Sequence, residues 1–190
     1  MDIRIAEVGD APGILAVYSG YMDTSITFEY RLPSVKEFTR RIADTLKCYP
    51  YHVCVESGRI CGYAYAHPFQ AREAYRWGAE LSIYLERGMT SHGIGTRLYG
   101  ILIDLLKLQG VRTVYGCVTV PNPPSERFHE KLGFRRIGFF HRAGFKGGWH
   151  DISWFEKPVA PYDAPEKLIP FPQIEAEKVR GILALHKTVS

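Results

Sequence analysis

Glu80 lies within Trp77 to Leu85, a run in which Trp77, Ala79, Leu81, Ile83 and Leu85 alternate with Gly78, Glu80, Ser82 and Tyr84. That alternation is the period of a pleated strand. A carboxylate among apolar neighbours has its pKa raised toward the range where it takes up a proton near neutral pH, so Glu80 is a candidate general base. An exposed acid on a strand is the plainer alternative. Downstream, Gly93-Ile94-Gly95 opens a segment in which Ile94, Leu98, Ile101, Leu102 and Leu105 keep helical spacing, with Arg97, Asp104 and Lys107 on the other side. Glycines where a strand feeds a helix let backbone approach a ligand, and the first N–H groups of a helix have no internal partner. The combination suits an anion, above all a phosphate, although such glycines also serve simply to fit a tight connection. The first helical turn carries no Asp or Glu, residues that are stabilising there, and an anionic guest would explain their absence. No Gly-Lys-Ser/Thr follows, which excludes a P-loop.

Other residues could contribute chemistry. His129 can exchange a proton near neutral pH, or lie on a helix surface. Asn122 and Ser125 stand where a helix begins and suit capping. The guanidinium of Arg72 matches a carboxylate or phosphinate through two parallel hydrogen bonds, while a lone arginine in a loop is ordinarily solvated. The seven histidines show no spacing that makes a metal site. Cys48, Cys54, Cys61 and Cys117 form no C-x-x-C and are expected to be buried, reduced thiols.

The elements that must position these residues follow from pattern. Asp2 to Ala6 alternates as a strand, and Asp10 before Ala11-Pro12 suits the N-cap of a helix ending about Gly20. Tyr21 to Pro33 has no helical period and forms a long connection of the kind that often carries function. Ser34 and Glu37 make a capping-box pair opening a helix to Leu46. Tyr51 to Glu56 and Ile60 to His67, joined by Ser57-Gly58-Arg59, form a hairpin. After the Gly93 helix, stopped at Gly110, come a strand over Thr113 to Val118, a helix from Asn122 to Leu132, and strands over Phe134 to Arg142 and His150 to Lys157. The order β-α-α-β-β-β-α-β-α-β-β is that of a mixed α+β domain over residues 1–157. Pro158, Pro161, Pro165, Pro170 and Pro172 mark residues 158–190 as an extended surface segment, with one terminal helix over Ile174 to His186.

The chain of 190 residues is 46% hydrophobic and 23% charged, ordinary for a folded globular domain with its own core. A net charge of +4 with scattered basic residues gives no reason to invoke nucleic acid. No apolar run approaches the roughly 18 residues of a membrane span, and MDIRIAEVGD does not have the make-up of a signal peptide. A soluble, cytoplasmic protein is expected.

The strand, the loop ending in Gly93-Ile94-Gly95, the following helix and the later segment NPPSERFHEKLGF (Asn122 to Phe134) together resemble the acetyl-CoA-binding core of the GNAT acyltransferase superfamily. AREAYRWGAE (Ala71 to Glu80), PNPPS (Pro121 to Ser125) and AGFKGGWHD (Ala143 to Asp151) are similar to its phosphinothricin N-acetyltransferase branch. The resemblance covers about Ile3 to Lys157. It implies a GNAT-like fold, a mixed and mostly antiparallel twisted sheet of about seven strands with about four helices on both faces. It also implies acetyl-CoA as cosubstrate, no metal, and a homodimer.

By the same resemblance, Ile83, Tyr84, Leu85, Arg87, Ser91, His92, Gly93, Ile94, Gly95, Thr96, Arg97, Asn122 and Ser125 would bind the coenzyme. The backbone N–H of Leu85 would stabilise the thioester oxygen, and Glu80 would deprotonate the attacking amine. His129 stands where many relatives have the Tyr that protonates the leaving thiolate. Arg72 would face the acidic end of the acceptor, with Phe28, Glu29, Arg31, Tyr75, His141 and Lys146 as further candidates for the pocket wall. The superfamily usually has Arg or Gln where this chain has Thr90, so Arg87, His92 and backbone amides would have to serve the pyrophosphate. The implied reaction is acetyl transfer to the α-amine of a small amino-acid-like acid such as phosphinothricin, methionine sulfoximine or methionine sulfone. A peptide or protein N-terminus as acceptor, or a catalytically silent CoA-binding module, are the alternatives.

Overall fold

The computed structural model describes residues 1–89 and 93–187. One sheet is built from β1 (Asp2–Ile5), β2 (Tyr51–Glu56), β3 (Arg59–Pro68), β4 (Gly78–Leu85), β5 (Thr113–Val120), β6 (Arg135–Phe145) and β7 (Trp149–Pro158). Its spatial order is β1-β2-β3-β4-β5-β7-β6. Only β4 and β5 run parallel; the other neighbours are antiparallel. The helices are α1 (Ala11–Ser19), α2 (Val35–Leu46), α3 (Ile94–Gln109), α4 (Pro123–Lys131) and α5 (Ala176–Leu185). Four stand in the expected places within the sheet-forming part of the chain, and the fifth is the terminal helix.

Strand alternation divides the core in two. Tyr51, Val53 and Tyr63 pack with Ile14, Leu15 and Val17 of α1 and with Phe38 and Ile42 of α2. On the other face Cys54, Ala64, Ala66, Ala79 and Leu81 pack against Ile94, Leu98, Ile101, Leu102 and Leu105 of α3, all five of which are fully buried. The helical spacing of those five residues is what puts them on one stripe.

The helix ends follow their local chemistry. Ser34 accepts a hydrogen bond from the Glu37 N–H, and Asn122 accepts one from the Ser125 N–H. Gly93 and Gly110 bracket α3 with φ of 75° and 91°, left-handed conformations that cost glycine nothing. Asp10 departs from expectation. It precedes α1 but makes no side-chain cap; its carboxylate takes two bonds of 2.7 Å from Arg4 and one of 2.8 Å from the Glu7 N–H, so an ion pair outcompetes the cap. The cysteines split: Cys54 and Cys61 are buried, whereas Cys48 and Cys117 are exposed, against the expectation of four buried thiols.

The C-terminal segment lies back on the domain. Gln109 donates to the carbonyls of Cys48 and Ile169, Trp77 donates to that of Glu166, and Phe171 is buried. His186 rests on α3, bonding Asp104 at 3.0 Å through Nε2 and accepting from Arg97 Nε at 2.8 Å through its carbonyl.

Candidate active site

The parallel ladder between β4 and β5 has three rungs, Gly78 with Thr113, Ala79 with Val114 and Glu80 with Tyr115. β4 continues to Leu85 and β5 to Val120 without further pairing, so the sheet splits beyond Glu80. The resulting notch is lined by Glu80 to Tyr84 from β4, Cys117 to Thr119 from β5, Tyr99 from α3, Asn122, Ser125 and His129 around α4, and Ile26 from the long loop.

The backbone of β4 along this notch has a definite orientation. The Glu86 N–H bonds the Cys61 carbonyl at 2.8 Å, continuing the register in which Leu85 opposes Gly62. In an antiparallel pair bonded and non-bonded positions alternate. Glu80, Ser82 and Tyr84 therefore bond β3, while Leu81, Ile83 and Leu85 turn their N–H and C=O groups toward the notch. Two of those carbonyls already have partners, since Tyr99 Oη donates to Leu81 O at 3.4 Å and Tyr21 Oη to Leu85 O at 2.5 Å. The Ile83 and Leu85 N–H groups thus form a strand edge at which an extended, amide-rich ligand would find hydrogen-bonding partners.

Glu80 does not lie between the side chains of Ala79 and Leu81, because the pleat sends those to the α3 face. Its neighbours are its cross-strand partner His67, with Nε2 3.9 Å from Oε2, and the side chains of Tyr115 and Cys117 on the same face. Burial pushes the Glu80 carboxyl above the ordinary carboxylate range, and the charge of His67 offsets part of that rise. The expected direction holds for a different set of neighbours. Cys117 is exposed as a residue, but desolvation within the notch pushes its thiol up to about 12, with Glu80 adding to the effect, so it stays protonated.

His129 is only 3% exposed. Its Nδ1 is 2.8 Å from the Ser125 carbonyl, which can only accept, so the ring proton sits there and Nε2 presents a lone pair to Tyr99 Oη at 3.4 Å. Burial lowers its pKa and favours this neutral form. An acid role for His129 does not fit that tautomer, because its one N–H is spent on backbone. Tyr99 has no mark in the sequence pattern beyond its type; a phenol within an apolar helical stripe has a hydroxyl that needs a buried partner, and that is the available signal.

The start of α3 lies beside Phe128 of α4 and Ile83 of β4. Gly93 has nothing within 4 Å of where a Cβ would stand, while a Cβ at Gly95 would come within 3.1 Å of the Phe128 ring. The first glycine leaves open space beside free helix N–H groups, and the second lets α4 close against α3. Thr96 is exposed in the first turn, which contains no acid. Arg97 and Arg87 are partly engaged: Arg97 Nε serves the His186 carbonyl, and Arg87 Nη2 donates to Gly20 O at 2.8 Å. Thr90, Ser91 and His92 lie outside the described residues.

The candidates for an acceptor pocket are not all drawn to the notch. The long loop is anchored at several points: Tyr18 and Thr27 hydroxyls lie 2.5 Å apart, Lys146 Nζ donates to Thr27 O at 2.9 Å, and Tyr30 donates to Phe145 O. Phe28 packs over Gly144 and near His150. Glu29 is occupied by Arg41 at 2.5 Å, so its carboxylate ties the loop to α2. Arg31, Arg72 and His141 are exposed, and His141 lies 3.4 Å from Asp151. Tyr75 lines a separate hollow of about 280 Å³ with Trp77, Arg112 and Tyr162. Among the described residues, no group of three or more His, Cys, Asp or Glu side chains is placed to hold a metal ion, and no helix is long and apolar enough to cross a membrane.

Comparison with known proteins agrees with this architecture. Residues 3–154 match the acetyltransferase (GNAT) domain family. The chain is 31% identical to a phosphinothricin N-acetyltransferase of Streptomyces viridochromogenes, over 92% of this chain and 96% of that protein. It is 28% identical to an L-methionine sulfoximine/L-methionine sulfone acetyltransferase of Pseudomonas aeruginosa, over 84% and 95%. The crystal structure of a GNAT superfamily phosphinothricin acetyltransferase from Sinorhizobium meliloti, in complex with acetyl-CoA, superposes with a TM-score of 0.83 at 30% identity, covering 92% of this chain and 98% of that one. With the split between β4 and β5 and the glycine-opened α3, these matches show that the chain belongs to the GNAT superfamily of acetyl-CoA-dependent N-acetyltransferases.

Proposed function

We propose that this chain acetylates the α-amine of a small amino-acid-like acid of the phosphinothricin, methionine sulfoximine or methionine sulfone type, with Glu80 as general base. The observation that carries the reading is the partly buried carboxyl of Glu80 at the closed end of the notch, held above its ordinary pKa. An ammonium has no lone pair, so the acceptor must lose a proton before it attacks. A carboxylate with a raised pKa is the better base for that step. The N–H groups of Leu85 and Ile83 are suited to stabilise an oxygen gaining negative charge beside β4.

The residues present fit acetyl-CoA. The first-turn N–H groups of α3 beyond Gly93, with Thr96 and the remaining nitrogens of Arg87 and Arg97, would meet its phosphates. The exposed edge of Ile83 to Leu85, with Tyr84, Asn122 and Ser125, would hold its amide-containing arm. Bound there, acetyl-CoA supplies an acetyl group activated as a thioester. His129, neutral and fixed by Ser125 O, would act as an acceptor at the notch wall and orient Tyr99. Departure of a thiolate, with a reference pKa near 8.5, needs little acid assistance near neutral pH.

Arg72 would receive the acceptor's acidic end, with Phe28, Arg31, His141 and Lys146 as candidates for the pocket wall, whereas Tyr75 faces the separate hollow. The anchoring of the Tyr21 to Pro33 loop supports a small acceptor over a peptide end. Self-association would suit Phe139, Phe140, Phe145 and Trp149, large side chains left 46%, 54%, 51% and 63% exposed on β6 and β7. Sedimentation giving a single 21.6 kDa species would reject it. A thiol-release screen of free amino acids and their sulfone, sulfoximine and phosphinate analogues tests the substrate class. Release confined to peptide N-termini, or absent for every amine, would refute it.

A further inference from the structure

His67 and Glu80 form a pair that neither the family resemblance nor the reading of the notch assigns a role. They oppose each other on the β3–β4 ladder, which puts their side chains on one face. Nδ1 of His67 lies 3.2 Å from the Pro68 carbonyl, and a carbonyl only accepts, so the neutral ring carries its proton at Nδ1. The free lone pair at Nε2 then faces Glu80 Oε2 across 3.9 Å. That gap is too long for a direct hydrogen bond and is closed by one water or a small side-chain rotation. Exposure rises along the pair, from 19% for the Glu80 side chain to 37% for that of His67.

If Glu80 is the base, as proposed above, it ends each turnover protonated and largely shielded from water, and must be emptied before the next. We propose that His67 is the exit for that proton. The acceptor's N–H bond breaks as an O–H bond forms on Glu80. That O–H bond then breaks as N–H forms at His67 Nε2, leaving Glu80 a carboxylate and His67 an imidazolium. The imidazolium finally gives the same proton to solvent from Nε2, with Nδ1–H remaining on Pro68 O.

The other titratable neighbours cannot do this. Tyr65 on β3, Tyr115 and Cys117 on β5, and Tyr99 on α3 are the remaining groups near Glu80, and burial pushes all four up, away from neutral pH. Around His67 the facing groups are Glu80 and Tyr65, whose ring centroid is 6.0 Å from the imidazole. Beyond Tyr65, Glu29 is already paired with Arg41. The imidazole of His129, also in the notch, has its N–H on Ser125 O and is pushed down by burial, which leaves that of His67, a side-chain type that ordinarily changes charge near neutral pH.

The test compares wild type with His67→Ala, His67→Gln and Glu80→Gln in thiol release from acetyl-CoA with L-methionine sulfoximine, folding being checked by thermal melts. Both His67 variants should lose at least about tenfold in kcat with KM for acetyl-CoA kept within about twofold. Added imidazole should restore His67→Ala in a concentration-dependent way. The acidic limb of the pH profile should move to higher pH in His67→Ala, because the charge that holds Glu80 down is gone. A His67→Gln enzyme at wild-type kcat, or a His67→Ala loss that imidazole never restores, overturns the relay. Full turnover in Glu80→Gln would instead remove the base itself, so the two failures are separable.

Discussion

Glu80 stands opposite Tyr115 on the last rung of the β4–β5 ladder, and past that rung the strands part. The side chain is therefore held by a paired, rigid stretch of sheet, while the next residues of the same strand face open space. A base at this position is fixed in place and sits where the notch closes.

That position has a cost in stability with a definite pH dependence. Burial raises the folded-state pKa of Glu80, so the unfolded chain gives up this proton first as pH rises. The contribution of Glu80 to stability is full below its unfolded pKa of about 4.3 and is lost as pH rises through its folded pKa. Glu80→Gln should therefore melt at a higher temperature than wild type at pH 8, and the gain should vanish near pH 4. Thermal melts across that range check it; a gain confined to acid would reverse the sign.

Asn122 should separate stability from coenzyme affinity. Asn122→Ala removes the bond to the Ser125 N–H and should cost about 1 kcal/mol in denaturant unfolding. Asn122→Asp can still cap, so its unfolding midpoint should stay near wild type. Its added negative charge at the notch should nevertheless raise KM for acetyl-CoA several-fold, which initial-rate kinetics would show.

Gly93 and Gly95 should fail for different reasons. Gly93→Ala meets no neighbour but must hold φ near 75°, at roughly 1–2 kcal/mol, so the α3 entrance should relax and acetyl-CoA affinity should fall. Gly95→Val crowds Phe128 and should push α4 from α3, lowering both affinity and melting temperature. Calorimetry with acetyl-CoA beside thermal melts distinguishes the two patterns.

The C-terminal segment offers an independent check on the fold. A Cβ at Gly100 would come within 2.6 Å of the His186 ring. Gly100→Ala should therefore loosen α5 and speed proteolytic cleavage in residues 170–187, with Gly100→Ala/His186→Ala partly restoring protection. Equal cleavage of wild type and Gly100→Ala would contradict the docking.

Much of this was legible in the sequence because the signals are local. Ser34, Asn122, Gly93 and Gly110 mark helix ends through one residue's hydrogen bond or backbone freedom, and the alternation in Trp77 to Leu85 needs no partner to be seen. What was not legible depends on pairing. The pleat places Ala79 and Leu81 on the α3 face, away from Glu80, and the β3–β4 register brings up His67, which neither residue type nor spacing connects with it. The His129 tautomer depends on the Ser125 carbonyl one helical turn before it, and the partial engagement of Arg97 on the docking of His186 from the far end of the chain. Neither relation follows from residue type and spacing.

Proton removal from the acceptor amine by Glu80 is best probed by pairing steady-state thiol release with acetyl-CoA calorimetry on Glu80→Gln. Turnover should fall about a hundredfold or more, with the acetyl-CoA Kd essentially unchanged. Turnover equal to wild type in that variant would contradict it.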